Sequence, residues 1–301
     1  METPWEVIGD PSHDPTLLAV PFFALFIVLE LLSLRFLDRH DDQPRRGYSA
    51  PDTASNLTSA VGSVVINLGA RFGALFLYFA LWHIAPWHLD AHNPWTWVFT
   101  LLATDLLWYA YHRASHRVRI MWAAHQAHHS SQYFNFSVAL RQKWNPWGEL
   151  VFWIPLPLLG VPPWMIFFSF SINLIYQFWV HTETIGKLWA PIEFIFNTPS
   201  HHRVHHASQE NYLDRNYAGI LIIWDRLFGT YAEEVETPVY GLTTPVTTHN
   251  PFKLQYGEYV AAFRDVRRAR NWRERFGYLF APPGWHPGEP TLPPASEEVT
   301  R

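Results

Sequence analysis

The sequence predicts an all-α chain: an integral membrane helical bundle of four to five membrane segments, with a histidine-rich cap on the cytoplasmic side. Three observations predict it. Hydrophobic residues make up 49% of the 301 and charged residues only 16%, well below the quarter usual in soluble domains. The apolar residues fall in long runs divided by short polar loops. Ten of the 17 histidines lie between His112 and His206, most of them in three tight clusters beside the ends of those runs.

Residues 1–15 are polar and acidic and lack the positive start and small-residue cleavage site of a secretory signal. Residues 16–34 are about one span long, with Glu30 toward the end, and Arg35, Arg39, Arg45 and Arg46 follow. The positive-inside rule then places the N-terminus outside and residue 40 in the cytoplasm. Residues 57–85 exceed one perpendicular span, so one span plus an interfacial turn, hinged near Gly69 and Gly73, is expected. The loop 86–94 holds no Lys or Arg and fits the outer side; residues 95–111 return inward to Arg113, Arg117 and Arg119.

Residues 150–180 carry no charge but are interrupted by Pro155, Pro157, Pro162 and Pro163, with Gly160 at the turn. A bent hairpin that enters and leaves from the cytoplasm accounts for the run and brings His181 back to the other histidines. Residues 219–231 are too short to span and should pack on the cap as a helix or strand. Over residues 257–276, Tyr259, Val260, Phe263 and Val266 alternate with six arginines, giving an amphipathic basic helix at the membrane surface or on the cap. The tail, rich in Pro and Glu from Pro282, is expected to be mobile. Three regions follow: N-terminal membrane helices (1–94), a catalytic region with the histidine clusters (95–231), and an amphipathic helix with its tail (232–301).

The net charge of −4 supplies no basic field for nucleic acid. The chain has no cysteine, which removes disulfides, iron–sulfur clusters, thiolate-ligated haem and thiol nucleophiles. Any metal must be held by His, Asp or Glu.

The first cluster, His112 and His116, is an i, i+4 pair extending the run 95–111, so both rings share one helix face. In the second, His125, His128 and His129 share a broad face while the last two diverge by about 100°, so the trio can serve two metals. The third, His202, His205 and His206, repeats that spacing and is preceded by His201; His181 stands alone at the end of the hairpin. Nine or ten imidazoles exceed the needs of one ion, and two metals are the economical reading. Imidazole suits Zn, Cu, Fe and Ni alike. A carboxylate-poor, imidazole-rich pair beneath an apolar pocket suits oxygen activation at an unactivated C–H bond, for which iron is the common choice.

Polar residues near the clusters are candidates for supporting or substrate-facing roles. Asp105, seven residues before His112, faces the same way and is expected either to orient a ligand ring or to pair with Arg71. Asn173, Gln177 and His181 form an i, i+4, i+8 stripe that lines the substrate cavity or makes a helix–helix seam. Glu183, Asp214 and Asn216 supply further polar groups, or are structural cap residues. Trp285-His286-Pro287-Gly288 is similar to a cytochrome b5 haem motif, but only 15 residues follow His286, so the electron donor is expected on a separate chain.

The stretches 112–142, 178–183 and 197–231, with a weaker extension over 239–251, resemble the fatty acid hydroxylase/sterol desaturase superfamily, and within it the branch that cleaves alkylglycerol ethers. The resemblance covers about half the chain. It implies a helical membrane fold with a di-iron site under a cytoplasmic cap, O2 as co-substrate and a membrane lipid as substrate. It implies ligation by His112, His116, His125, His128, His129, His181, His202, His205 and His206, with His201 a further ligand. Many members place a second histidine four residues after the one at the hairpin end. Ile185 stands there in this chain, which leaves one iron with an open or water-filled position or with His201 in it. Tetrahydrobiopterin as reductant rests on the resemblance alone, since no pterin-binding motif is legible. The implied reaction is hydroxylation of the carbon beside the ether oxygen, with collapse to a fatty aldehyde and glycerol.

The same clusters also admit a hydroxylase or desaturase of sterols, fatty acyl chains or carotenoids. A membrane metal transporter would place its ligands near the bilayer midplane, whereas these sit at the ends of spans. A membrane zinc hydrolase would work without oxygen or reductant. Oligomeric state is not legible.

Overall fold

The computed structural model describes residues 15–36 and 45–288. Within them the regular structure is helical, joined by two isolated antiparallel bridges, Phe196–Leu221 and Ala207–Tyr240. Arg39, and the acidic segment 1–14, lie outside the described residues.

Helix α1 (Pro15–Phe36) exposes Leu18, Phe22, Leu25, Val28 and Leu29 along most of its length. Its one acid, Glu30, is 3% exposed and turned inward. Glu30 accepts from the Tyr48 hydroxyl, the Thr182 hydroxyl and the Phe136 amide, which ties the helix to the residue following His181.

Helix α2 (Ala50–His83) opens on Pro51 and runs 34 residues without a break. The expected hinge is absent: Gly69 and Gly73 sit inside the helix facing open space, and nothing packs there to bend it. The helix is about 51 Å long at 1.5 Å per residue, against a hydrocarbon core of about 30 Å. Its first turns belong to the cap, where Asp52, Ser55, Asn56, Ser59 and Ser63 form a buried polar stripe. Arg141 donates there to Asp52 and Asn56, and Ser131 to Asp52.

Helix α3 (Pro94–Arg117) is capped by the Asn93 side chain on the Trp95 amide and carries His112 and His116 in its last turns. One extended residue, Val118, separates it from α4 (Arg119–His129), which holds the second cluster. Next comes the uncharged run as a bent hairpin: α5 (Trp147–Phe152), α6 (Pro155–Leu158), a turn at Gly160, and α7 (Pro163–Trp179). Gly160 has φ +81°, and a Cβ there would lie 2.4 Å from the Trp87 carbonyl oxygen. Its own carbonyl accepts from Leu89 N and Trp82 Nε1, which pins the hairpin tip to the α2–α3 loop. Tyr78, Trp108, Tyr111, Trp153 and Leu156 pack the apolar core beneath the histidines.

Among the described residues two helices are long and apolar enough to cross a membrane, Leu18–Phe36 and Ala50–His83, fewer than the four to five segments expected. Helix α3 is diluted by Thr96, Thr100, Thr104 and Asp105, all buried, and α7 is 17 residues long.

Short helices build the rest of the cap: α8 (Ala190–Ile195), α9 (Pro199–His205) with the third cluster, and α10 (Ile223–Leu227). The single basic helix expected over 257–276 is two, α11 (Pro251–Arg268) and α12 (Trp272–Phe280). The chain turns extended at Ala269, and the Asn271 side chain caps Glu274 N at 2.9 Å to start the second helix. The start of the tail is packed rather than free, with the Trp285 ring against Gly277 and 5.5 Å from Tyr278; residues 289–301 lie outside the described part.

Candidate metal centre

Helix spacing delivers the rings. The last turns of α3 present His112 and His116, α4 presents His125, His128 and His129, and α9 presents His202 and His205, with His206 as its C-cap. His181 follows the end of α7 by two residues. Among the described residues these nine form two groups whose donor nitrogens lie within 4.8 Å of one another: His112, His116, His125, His129 and His205, and His128, His181, His202 and His206. All nine are at most 9% exposed. The groups adjoin, with His129 and His206 stacked at 4.2 Å between ring centroids. As the 100° divergence allows, His128 turns to one group and His125 and His129 to the other.

Three rings have a legible tautomer. His112 Nδ1 lies 2.8 Å from the Tyr217 carbonyl, His205 Nδ1 2.9 Å from that of Arg215, and His181 Nδ1 2.7 Å from that of Gln177. A carbonyl oxygen only accepts, so each Nδ1 carries the proton and each Nε2 presents a bare lone pair. The His181 Nε2 is faced by Nε2 of His202 at 2.9 Å and of His128 at 3.2 Å; His112 Nε2 meets His125 Nε2 at 2.9 Å. His116 Nε2, His205 Nε2 and His206 Nε2 are buried without a hydrogen-bond partner.

Burial holds these rings neutral: His205 is lowered to about 4 and His181 to about 3, each against the carbonyl at its Nδ1, while neighbouring imidazoles add to burial at His125, His128, His129, His202 and His206, which fall well below the ordinary value. Converging neutral lone pairs in a buried pocket fit imidazole-bound metal, and backbone carbonyls at the far nitrogens are the usual means of fixing such ligands.

His201 joins neither group. Neighbours on α9 diverge by about 100°, and while His202 turns inward the His201 ring turns to Glu193, 3.0 Å from its carboxylate, and toward Thr198. Asp105 also departs from expectation. Its oxygens accept from Asn173, Ile220 N, Leu221 N and Trp224 Nε1, and none of these donors is a histidine ring. It holds the 219–224 segment against α3. Gln177 donates to Asn173, so the polar stripe on α7 is a seam joined to Asp105, and at its end the Gln177 carbonyl takes the His181 ring. Gly219 fits this seam because a Cβ would lie 2.6 Å from Asn173. Glu183 accepts from the Arg46 amide and belongs to neither histidine group.

Asp214 and Asn216 shape a turn that the spacing argument missed. Both are left-handed, with φ of 59° and 54°, a conformation that Asp and Asn tolerate better than most residues. They flank Arg215 and aim the carbonyls of Arg215 and Tyr217 at His205 and His112. Asn216 fastens the turn to Ala232 and to the His201 carbonyl, and Asp214 pairs with Arg117 at 2.5 Å and lies 3.8 Å from His116 Nδ1. Asp225, 0% exposed, accepts from Tyr217 N, Ala218 N and the Thr230 hydroxyl; burial pushes it up to about 6 against these donors. An acid at the start of a cap helix was the available signal for Asp225. Backbone carbonyls leave none.

Comparison with known proteins meets the same residues. The fatty acid hydroxylase family model matches residues 97–230, which contain all nine rings. Curated alkylglycerol monooxygenases are similar to the chain over most of its length: the human protein is 40% identical over 93% of this chain, and those of Xenopus tropicalis and Danio rerio are 37% and 38% identical over 97% and 91%. The chain spans about three fifths of the length of these relatives, 62%, 64% and 60% respectively. No solved structure matches it.

Proposed function

We propose that the chain is an O2-dependent membrane monooxygenase that cleaves the ether bond of alkylglycerols, releasing fatty aldehyde and glycerol. The observation that carries this reading is the 40% identity to human alkylglycerol monooxygenase over 93% of the chain, in a chain whose residues 97–230 match the fatty acid hydroxylase model and bring nine buried imidazoles into two groups.

One iron would be held by His112, His116, His125, His129 and His205, the other by His128, His181, His202 and His206. Two irons bound there would supply the activation of dioxygen for insertion into a C–H bond. The chain's own part is positional. The carbonyls of Tyr217, Arg215 and Gln177 fix ring orientation, and the surrounding aromatic side chains keep bulk water from the donors. The lipid reaches the site from the bilayer. Helices α1 and α2 cross it, and α3 and the bent hairpin of α5–α7 complete four to five membrane segments with the cap on the cytoplasmic side. Reducing equivalents come from outside the chain, from tetrahydrobiopterin or a separate redox protein.

The test is purified, iron-loaded protein given a 1-O-alkylglycerol under air, with fatty aldehyde followed with tetrahydrobiopterin, with a flavin or cytochrome b5 electron chain, and without reductant. Aldehyde that requires both oxygen and the pterin is the expected result. No aldehyde from iron-replete protein would overturn the substrate, and aldehyde formed without oxygen would overturn the chemistry.

A further inference from the structure

We propose that α11 and α12 form a membrane-docking strap, which presses α4 and its three histidines between the bilayer surface and the rest of the cap, and that the surface it recognises is one of anionic phospholipid.

Helix α11 has three faces. Leu254, Gln255 and Ala262 are buried toward the cap, and from that side Glu258 and Asp265 both reach Arg119, the first residue of α4, at 2.7 and 2.8 Å. The Ala281 carbonyl beyond α12 accepts from the Arg119 amide, so both helices are fastened to the start of α4. A second face carries Phe252, Tyr256, Val260 and Phe263, within an arc of about 80° at 100° per residue, exposed by 65, 39, 57 and 52%. The third, alongside it, carries Lys253, Arg264 and Arg268, all exposed. Helix α12 repeats the apolar ridge at i, i+4, i+8 with Trp272, Phe276 and Phe280, exposed by 80, 65 and 46%.

An apolar ridge rich in aromatics beside a basic stripe is the pattern of a helix lying in the headgroup region. Residues 251–280 hold seven basic and three acidic residues, and all three acids, Glu258, Asp265 and Glu274, are engaged with arginines. The excess positive charge therefore complements an anionic surface. The ridge is also continuous with the apolar flank of α2. Trp144 packs on Phe252 at 5.2 Å, donates to the Ser59 carbonyl of α2 and lies over Gly62, next to the exposed Val61, Val64 and Val65.

The proposal rests on the membrane reading above, and the experiment separates the two. Because the chain contains no cysteine, single cysteines can carry a nitroxide label without further change. Full-length Val65→Cys, Phe263→Cys, Phe276→Cys and Gly257→Cys proteins would be placed in nanodiscs of phosphatidylcholine, with and without phosphatidylglycerol. Collision with O2 and with a water-soluble nickel chelate is then compared, and retained metal content reports folding. The strap predicts O2-dominated collision at 65, 263 and 276, chelate-dominated collision at 257, and deeper labels at 263 and 276 with phosphatidylglycerol. The double variant Arg264→Gln/Arg268→Gln should lose that deepening. Chelate-dominated labels at 263 and 276, with 65 in lipid, would overturn the strap alone; a chelate-dominated label at 65 would overturn the membrane reading. Labels at 263 and 276 that neither reagent reaches would place a second copy of the chain on the ridge instead. Depth indifferent to phosphatidylglycerol would overturn the anionic preference.

Discussion

The two histidine groups differ in number and in how firmly they are held. The larger brings five donors together, and two of its rings, His112 and His205, are fixed by carbonyls from one left-handed turn at residues 214–217. The smaller has four donors and one ring, His181, fixed by the carbonyl of Gln177 in the final turns of α7. An ion in the five-donor group would have one more imidazole than an ion in the four-donor group, and the latter would have room for a further ligand. The chemistry should therefore open at the smaller group, while the larger anchors the pair.

The largest expected effect breaks this contrast directly. His128→Ala leaves three donors in the smaller group and should reduce bound metal to one ion per chain and turnover to background, with the protein still in the membrane fraction. His116→Ala leaves four donors in the larger group and should keep both ions with reduced turnover. Elemental analysis alongside the aldehyde assay distinguishes them; equal loss from both variants would make the two groups equivalent.

Asp225→Asn acts on one group only. It weakens the grip on Tyr217 N and Ala218 N, so the turn that orients His112 loosens. Loss of such a supporting partner typically costs about 10–100-fold in metal affinity. Chelator titration should show that loss for the more tightly bound ion and leave the other unchanged.

Acid tests the neutrality common to both groups. His205 and His181 stay neutral in the folded chain down to about 4 and about 3, whereas in the unfolded chain they protonate near the ordinary value of 6.5. Between these limits the unfolded state binds more protons, so stability is present above pH 6.5 and is lost as pH falls. The slope is about 1.4 kcal/mol per pH unit for each such ring. The thermal midpoint of metal-free protein should drop between pH 7 and pH 5; a flat profile would mean the rings are not held neutral.

The smallest effect belongs to His201→Gln. Its ring faces Glu193 and joins neither histidine group, so metal content should be unchanged while stability falls by about 1–3 kcal/mol from a weakened buried contact. Loss of an ion would return His201 to the ligand set.

These contrasts also mark what could be read from sequence. Spacing on a helix is geometry, so the pairing of His112 with His116 and the split of His128 from His129 were legible from residue numbers alone. His201 was not, because a one-residue step on α9 turns a ring by about 100° and only the position of Glu193 shows which neighbour turns inward. The carbonyl anchors were hidden because a backbone oxygen has no residue type. Gly69 and Gly73 suggested a hinge that packing never demands, and the break at Ala269 lies in a run whose basic and apolar alternation continues across it. Asp105 was singled out as an acid within an apolar run, but its partners come from residues 68 to 119 positions away.

The most direct test of the account is the iron content of the purified full-length protein after anaerobic loading with ferrous iron and removal of excess metal. Two irons per chain, released by chelator in two separate steps, are the predicted result. One iron per chain, or two released together, would contradict a centre built from an enclosed five-histidine group and an open four-histidine group.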